Sequence, residues 1–358
     1  MLGCLLKIAY LCAMTEQQIA DKRQFAGEKK PSMKRRKEQH DYHGKRFYMV
    51  TLAVEGRWAV LGQLVGPHIV LSPLGQAVSR EWAHLSIRFP QVSVIMQQVM
   101  PDHFHGILYV QEHTDFHLGE VIKYFKLGCN RELRALVAAL ATQRTTEGTV
   151  TTERALFERR LRSFAAMPSQ PEGRAVLWEK GYNDKILHNY STLEKWKAYL
   201  RDNPLRLAIR REHPDYFRVR FGITVGSQTY AAIGNRFLLQ HPQKVQVQLT
   251  RKLTDEQIAA EVDKHLALTR QGDILVSPAI SSGEAAVMRA ALDARKPLIF
   301  LSPWGFNTFS RPGHQYFEAC AEGRFLILAP WPHQNERIPL TRQMCLALNA
   351  MAAEICAL

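Results

Sequence analysis

Gln91-Val-Ser-Val-Ile-Met-Gln-Gln-Val-Met-Pro-Asp-His-Phe-His-Gly-Ile-Leu-Tyr-Val-Gln111 decides the fold of the first half of the chain. Gln91 to Val99 is strand-like, Met100-Pro-Asp102 carries turn chemistry, and His103 to Gln111 is a second strand, so the segment predicts an antiparallel hairpin. Upstream, Phe47 to Val54 reads as a buried strand. Ser72 followed by Pro73 is a good N-cap and first-turn pair for a helix to about Ile87. Downstream, Leu118, Val121, Ile122, Phe125, Cys129, Leu133 and Leu136 recur at helical spacing, which predicts a helix from His117 to about Ala141. A Thr-, Glu- and Arg-rich segment to about Gly173 reads as an insertion. An extended piece, Leu177 to Leu187, and a helix at Leu193 to Leu200 follow it. The order β-α-β-β-α-(β)-α around a central hairpin points to a ferredoxin-like α+β domain with an antiparallel sheet.

From Phe217 onward the pattern changes. Val245 to Leu249, Ile274 to Val276, Leu298 to Leu301 and Phe325 to Leu328 are short apolar strands. Between and after them lie helical segments at Thr254 to Leu268, Glu284 to Ala294, Gln315 to Ala321 and Leu340 to Ile355, the first opened by a Thr254/Gln257 capping box. Such alternation implies a Rossmann-like α/β domain with a mainly parallel sheet. The expected division is a flexible basic arm over 1–45, a first domain over 46–217 and a second over 218–358.

Lys plus Arg number 47 against 33 for Asp plus Glu, a formal net charge of +14 over 358 residues. Such an excess favours a polyanionic partner, with nucleic acid the leading candidate. The 6 cysteines form no C-x-x-C pair, so neither a zinc knuckle nor a disulfide framework is indicated and a reducing cytoplasm fits best. The apolar opening Met1 to Ala13 is interrupted by Lys7 and is too short to span a bilayer, so no membrane anchor is expected. Lys34-Arg-Arg-Lys37 lies in the polar arm and can touch phosphate or remain solvated.

Period-two alternation over His103-Phe-His-Gly-Ile-Leu-Tyr-Val110 sends His103 and His105 to one face and Phe104, Leu108 and Val110 to the other. Two neutral imidazoles side by side on a rigid strand can reach one divalent ion; the alternative is a surface pair beside an apolar core. Tyr199 and Asn203, four apart on the predicted helix, share its flank. Tyr199 can equally be a packing residue, and Asn203 an N-cap for a following helix begun by Pro204.

Val99-Met-Pro-Asp-His-Phe-His-Gly-Ile-Leu108, Leu177-Trp-Glu-Lys-Gly-Tyr-Asn-Asp-Lys-Ile-Leu187 and Tyr199-Leu-Arg-Asp-Asn-Pro-Leu-Arg206 together resemble the REP-associated tyrosine transposases of the HUH superfamily, over about Tyr42 to Phe217. The resemblance implies metal ligands at His103, His105 and Asn203 and a nucleophile at Tyr199. It also implies Mg²⁺ or Mn²⁺ as cofactor, single-stranded or hairpin DNA as partner, and a 5′-phosphotyrosine intermediate with a free 3′-OH. A phenol is a weak nucleophile at neutral pH, which agrees with the need for a nearby cation. Lys185, Arg201 and Arg206 flank this region as candidate phosphate contacts or solvated charges. Trp178 and Tyr182 are candidates for base stacking or for the core. Such a protein is expected in the bacterial cytoplasm, with the nucleoid when bound to DNA; a homodimer is left open.

In the second domain Asp273 to Glu284 is a strand, a small-residue loop and a helix start, in which Ser277, Ser281, Ser282 and Gly283 could cradle an anion; a tight connection is the alternative. No G-x-G-x-x-G is present. The stretch through Lys296 to Leu301 faintly resembles the Rossmann-type fold of DprA-like DNA-processing proteins. Two competing functions remain. A histidine-triad hydrolase is disfavoured because the third alternating position is Ile107. A non-catalytic DNA-binding or nucleotide-sensing regulator descended from a transposase would keep the fold and charge.

Overall fold

The computed structural model describes residues 40–142, 152–168, 170, 174–313, 315–334 and 339–358. The chain divides into two compact units, which among the described residues run from 40 to 208 and from 209 to 358. The apolar opening and most of the basic arm lie outside the described residues. Of that arm His40 to Lys45 is described, and it is tied down: Tyr42 donates to Asp184 at 2.8 Å and the Thr114 amide to the His43 carbonyl at 3.0 Å.

In the first unit β1 (Arg46–Ala53) is followed by a two-stranded antiparallel ribbon, β2 (Gly62–Val65) and β3 (His68–Leu71). Helices α1 (Pro73–Ala83) and α2 (Leu85–Arg88) come next, then the hairpin β4 (Val92–Val99) and β5 (His103–Val110). Helices α3 (Leu118–Thr142) and α4 (Thr152–Ala165), strand β6 (Asn183–Leu187) and helix α5 (Tyr190–Glu212) complete it. Ser72 caps α1 as its position before Pro73 predicts, accepting from the Gly75 amide at 3.0 Å. The sheet order is β4-β5-β1-β6 with every neighbour antiparallel.

Strand alternation gives this sheet two faces. One buries Tyr48, Val50, Leu52, Phe104, Leu108 and Val110 under Val78 and Trp82 of α1 and Val121 and Phe125 of α3. The other buries Met49, Ile107 and Leu187 under Leu193 and Leu200 of α5. The predicted insertion holds α4, whose Leu161 and Phe164 are buried in the first core; 143–151 lie outside the described residues. Asn203 does not cap a second helix: α5 runs through it with Pro204 in its interior, and both are buried. Proline there forgoes one backbone bond, a loss the packing of α5 tolerates.

The second unit opens with the end of α5 and α6 (Pro214–Phe217), whose Phe217 is buried in its core. Its strands are β7 (Arg220–Val225), β8 (Gln228–Gly234), β9 (Lys244–Gln246), β10 (Ile274–Ser277), β11 (Leu298–Leu301) and β12 (Phe325–Ala329). Its longer helices are α7 (Asp255–Arg270), α8 (Ser282–Asp293), α9 (Gln315–Ala321) and α10 (Arg342–Ala357). The sheet order is β7-β8-β12-β11-β10-β9, parallel from β9 to β12 and antiparallel across β12-β8 and β8-β7. The sheet is therefore mixed, with its parallel strands β9 to β12 as the alternation leads one to expect and an antiparallel hairpin, β7-β8, added at the β12 edge. Gly222, at φ +70, and a register shift between Arg220 and Ile223 interrupt the alternation that would have announced β7. Side chains of α7, α8 and α9 fill one face and those of α10 the other. No helix among the described residues is long and apolar enough to cross a membrane.

Candidate functional site

His103 and His105 stand on β5 where the sheet faces α5, their ring centroids 4.8 Å apart and their planes nearly perpendicular. Each ring is held through Nδ1. His103 Nδ1 lies 2.6 Å from Asp102 Oδ1, and His105 Nδ1 lies 2.8 Å from Thr51 Oγ1 on the neighbouring strand, its cross-strand partner. No hydrogen bond among the described residues reaches Nε2 of either ring. Arg57 Nη1 lies 3.6 Å from Asp102 Oδ2.

Burial pushes the Asp102 carboxyl up, but the hydrogen bond and charge of His103, with the charge of Arg57, outweigh it and hold the group below its usual value. Burial, then the neighbouring His103 and Arg57, push the His105 imidazole down to about 3, so it is neutral at any ordinary pH. Neutral imidazole is the form that binds metal.

Helix α5 brings Tyr199 to this pair, its ring centroid 6.3 Å from that of His105. Trp196 packs against Tyr199 at 5.2 Å, and the Arg206 guanidinium lies 5.7 Å from the centre of the tyrosine ring. Lys185 Nζ stands 4.4 Å over the Trp196 ring, so it belongs to the same face. Arg201 is exposed and, two residues after Tyr199 on α5, points to a different side of the helix. Asn203, one turn after Tyr199, is 4% exposed, and its Nδ2 has no hydrogen-bond partner among the described residues. Beside these residues runs a cleft of about 640 Å³ between α5, β4 and β3; its walls include Gln98, the cross-strand partner of His105, and Arg201.

The donor set admits a divalent cation, with limits. Two imidazoles tethered at Nδ1 offer two nitrogen donors, and Asn203, one turn after Tyr199 on α5, carries an amide oxygen of the neutral kind a third ligand would need. Among the described residues no cluster of three or more His, Cys, Asp or Glu can hold a metal, so no carboxylate completes the set. Imidazole is a softer donor than Mg²⁺ prefers, which makes Mn²⁺ the better probe.

Two aromatic candidates leave the site. Trp178 and Tyr182 are each 5% exposed and belong to the core under α1 and α3, so neither offers a face for base stacking. Thr51, Asp102, Arg57 and Gln98 enter it. Asp102 reads as a turn residue in the sequence, although its place directly before His103 is a signal; Thr51 has none, because only strand register puts it opposite His105.

The anion loop of the second unit is committed internally. Glu284, 2% exposed, accepts from the Leu249 amide at 3.0 Å, from Ile280 at 2.7 Å and from Ser281 at 3.3 Å. Ser281 Oγ in turn caps α8 through the Glu284 amide, and Ser277 Oγ donates to the Val247 carbonyl. A carboxylate of the chain thus takes loop amides that a bound anion would use, which corrects the cradle reading for Ser277 and Ser281. Ser281-x-x-Glu284 is the capping box that announces it. Glu284→Ala is expected to strand these amides and destabilise the second unit by about 3 kcal/mol, read as a lowered unfolding transition; an unchanged transition contradicts the assignment.

No family model matches the chain. An uncharacterised protein of Haemophilus influenzae is 25% identical over 166 residues, 46% of this chain and 84% of that protein. Among solved structures, the REP-associated tyrosine transposase bound to a REP hairpin is similar at a TM-score of 0.30 and 12% identity, covering 48% of this chain and 74% of that one. DNA processing protein A from Helicobacter pylori, described for its single-stranded DNA binding mode, is similar at a TM-score of 0.31 and 20% identity, covering 40% and 67%. These are distant likenesses.

Proposed function

We propose that the first unit is a metal-dependent enzyme that nicks and joins single-stranded DNA, with Tyr199 as nucleophile and His103, His105 and Asn203 as the residues that would hold Mn²⁺ or Mg²⁺. One observation carries the reading: a tyrosine ring 6.3 Å from His105, one of an imidazole pair whose Nδ1 atoms are both tethered, in three chain segments that only the fold brings together. The antiparallel order β4-β5-β1-β6 is that of the split α+β layer the motifs lead one to expect.

In this reading the Tyr199 hydroxyl attacks a backbone phosphorus. The Tyr–O–P bond forms, the bond from phosphorus to the 3′ oxygen breaks, and the strand leaves with a 3′-OH while the 5′ phosphate stays on the enzyme. The phenolic proton is lost as the bond forms, and the 3′ oxygen gains one. A bound cation would polarise the phosphate and offset its charge. Arg206, over the Tyr199 ring, places positive charge where the phosphate must sit, and Lys185 and the exposed Arg201 extend it along the strand's path. The phosphotyrosine ester conserves the energy of the broken bond, so rejoining needs no nucleotide.

The test is cleavage of labelled single-stranded hairpin DNA with Mn²⁺. Cleavage is expected in the wild type and a loss of about 10³-fold or more in His103→Ala. Cleavage unchanged in that variant, or by the chelator-treated protein, removes the metal site from the account. DNA binding with no cleavage under any divalent ion would favour the regulatory alternative.

A further inference from the structure

We infer that Asp102, braced by Arg57, and Thr51 are positioning residues that lock His103 and His105 in the Nδ1-protonated tautomer, so that both present an unprotonated Nε2. The purpose of the device rests on the metal reading above; its geometry does not.

Asp102 is an acceptor when ionised, so the 2.6 Å contact with His103 requires a proton on Nδ1. A neutral ring so bonded keeps its lone pair on Nε2. The carboxylate is itself fixed. The Asp102 carbonyl accepts from the Val54 amide at 3.0 Å, and the second carboxylate oxygen faces Arg57. Arg57 reaches that position through two successive left-handed residues, Gly56 at φ +62 and Arg57 itself at φ +59. A left-handed arginine is strained, and it persists where the surroundings over-determine it. Here the turn after β1 carries the guanidinium back over the start of β5.

His105 is set by different chemistry to the same end. The Thr51 hydroxyl donates toward Met49 Sδ at 3.5 Å, which leaves an oxygen lone pair to accept from His105 Nδ1 at 2.8 Å. Thr51 and His105 are opposed in the β1–β5 register, so the contact is built into the sheet and does not depend on a loop. One ring is thus tied to a carboxylate and the other to a hydroxyl, and both expose the nitrogen that a cation needs. Outer contacts of this kind orient ligand imidazoles and raise their basicity.

The experiment uses full-chain protein labelled with ¹⁵N, free of metal, and long-range ¹H–¹⁵N spectra of the imidazoles, followed by Mn²⁺ titration. The wild type is expected to show Nδ1–H tautomers at both positions. Asp102→Ala should move His103, and Thr51→Val should move His105, toward Nε2–H, each with a Mn²⁺ affinity lowered about 10- to 100-fold. Asp102→Asn retains an acceptor oxygen and is expected between wild type and alanine, which keeps the test available where the alanine variant does not fold. An Nε2–H tautomer at His103 in the wild type, or spectra unmoved in Asp102→Ala, overturns the inference. Nδ1–H tautomers with no Mn²⁺ binding would uphold the positioning and sink the metal reading instead.

Discussion

Tyr199→Phe is expected to abolish covalent capture of single-stranded DNA, lowering adduct yield by about 10³-fold or more, while DNA affinity stays within about two-fold of the wild type. The substitution deletes one oxygen and keeps the ring. The contacts of that ring with Trp196 at 5.2 Å and with His105 at 6.3 Å survive, so stability and strand binding have no reason to change. In the proposed mechanism what is lost is the atom that would form the bond to phosphorus, and no binding interaction elsewhere replaces it. The packing reading of Tyr199 makes the opposite prediction, because a tyrosine that only fills space is well replaced by phenylalanine. Gel separation of protein-bound from free labelled strand, under denaturing conditions, distinguishes the two; an adduct retained in Tyr199→Phe removes Tyr199 from the mechanism.

Gly106→Ala is expected to destabilise the first unit by about 3 kcal/mol or more and to cost activity in the fraction that stays folded. Gly106 sits between His105 and Ile107, and a β-carbon there would fall 2.1 Å from Trp82 Cζ2 and 2.5 Å from Cε2. Trp82 cannot yield cheaply. It is fully buried and wedged between Phe104 at 4.8 Å and Phe125 at 5.0 Å. The methyl must therefore push β5 off α1, and β5 carries both histidines. Urea denaturation followed by tryptophan fluorescence reads the loss as a lower midpoint. A midpoint equal to the wild type would mean that α1 does not pack on β5 at this glycine.

The two predictions also mark what the sequence discloses. Alternation over His103 to Val110 puts the imidazoles on one face and Phe104, Leu108 and Val110 on the other, and the structure has them so, because a strand's period leaves no freedom. The Thr254 capping box of α7 and the Ser72 cap of α1 are local chemistry and are equally legible. Register is not local. Thr51 meets His105 because β1 and β5 pair at that offset, and no residue near Thr51 says so. The same holds for α5. Asn203 followed by Pro204 is a helix-start signal, yet the helix continues, since burial of Leu193, Leu200 and Pro204 outweighs one forgone backbone bond. Trp178 and Tyr182 carry the composition of a stacking surface, but both are buried in the core, where Trp178 meets Phe125 of α3 at 6.0 Å, a tertiary contact that composition does not announce. The β7–β8 hairpin escapes notice because Gly222 breaks its period.

The central claim is that Tyr199 becomes bonded to DNA, and the most direct measurement identifies the bond. Wild-type protein is incubated with Mn²⁺ and a single-stranded hairpin oligonucleotide drawn from the flanks of its own coding sequence, digested with nuclease and trypsin, and its peptides are weighed by mass spectrometry. The account predicts a nucleotide remnant, joined through phosphate, on the tyrosine at position 199 and on no other residue, formed only when the divalent ion is present. Strand cleavage with an adduct on another side chain, or efficient metal-dependent cleavage with no adduct at all, would contradict it.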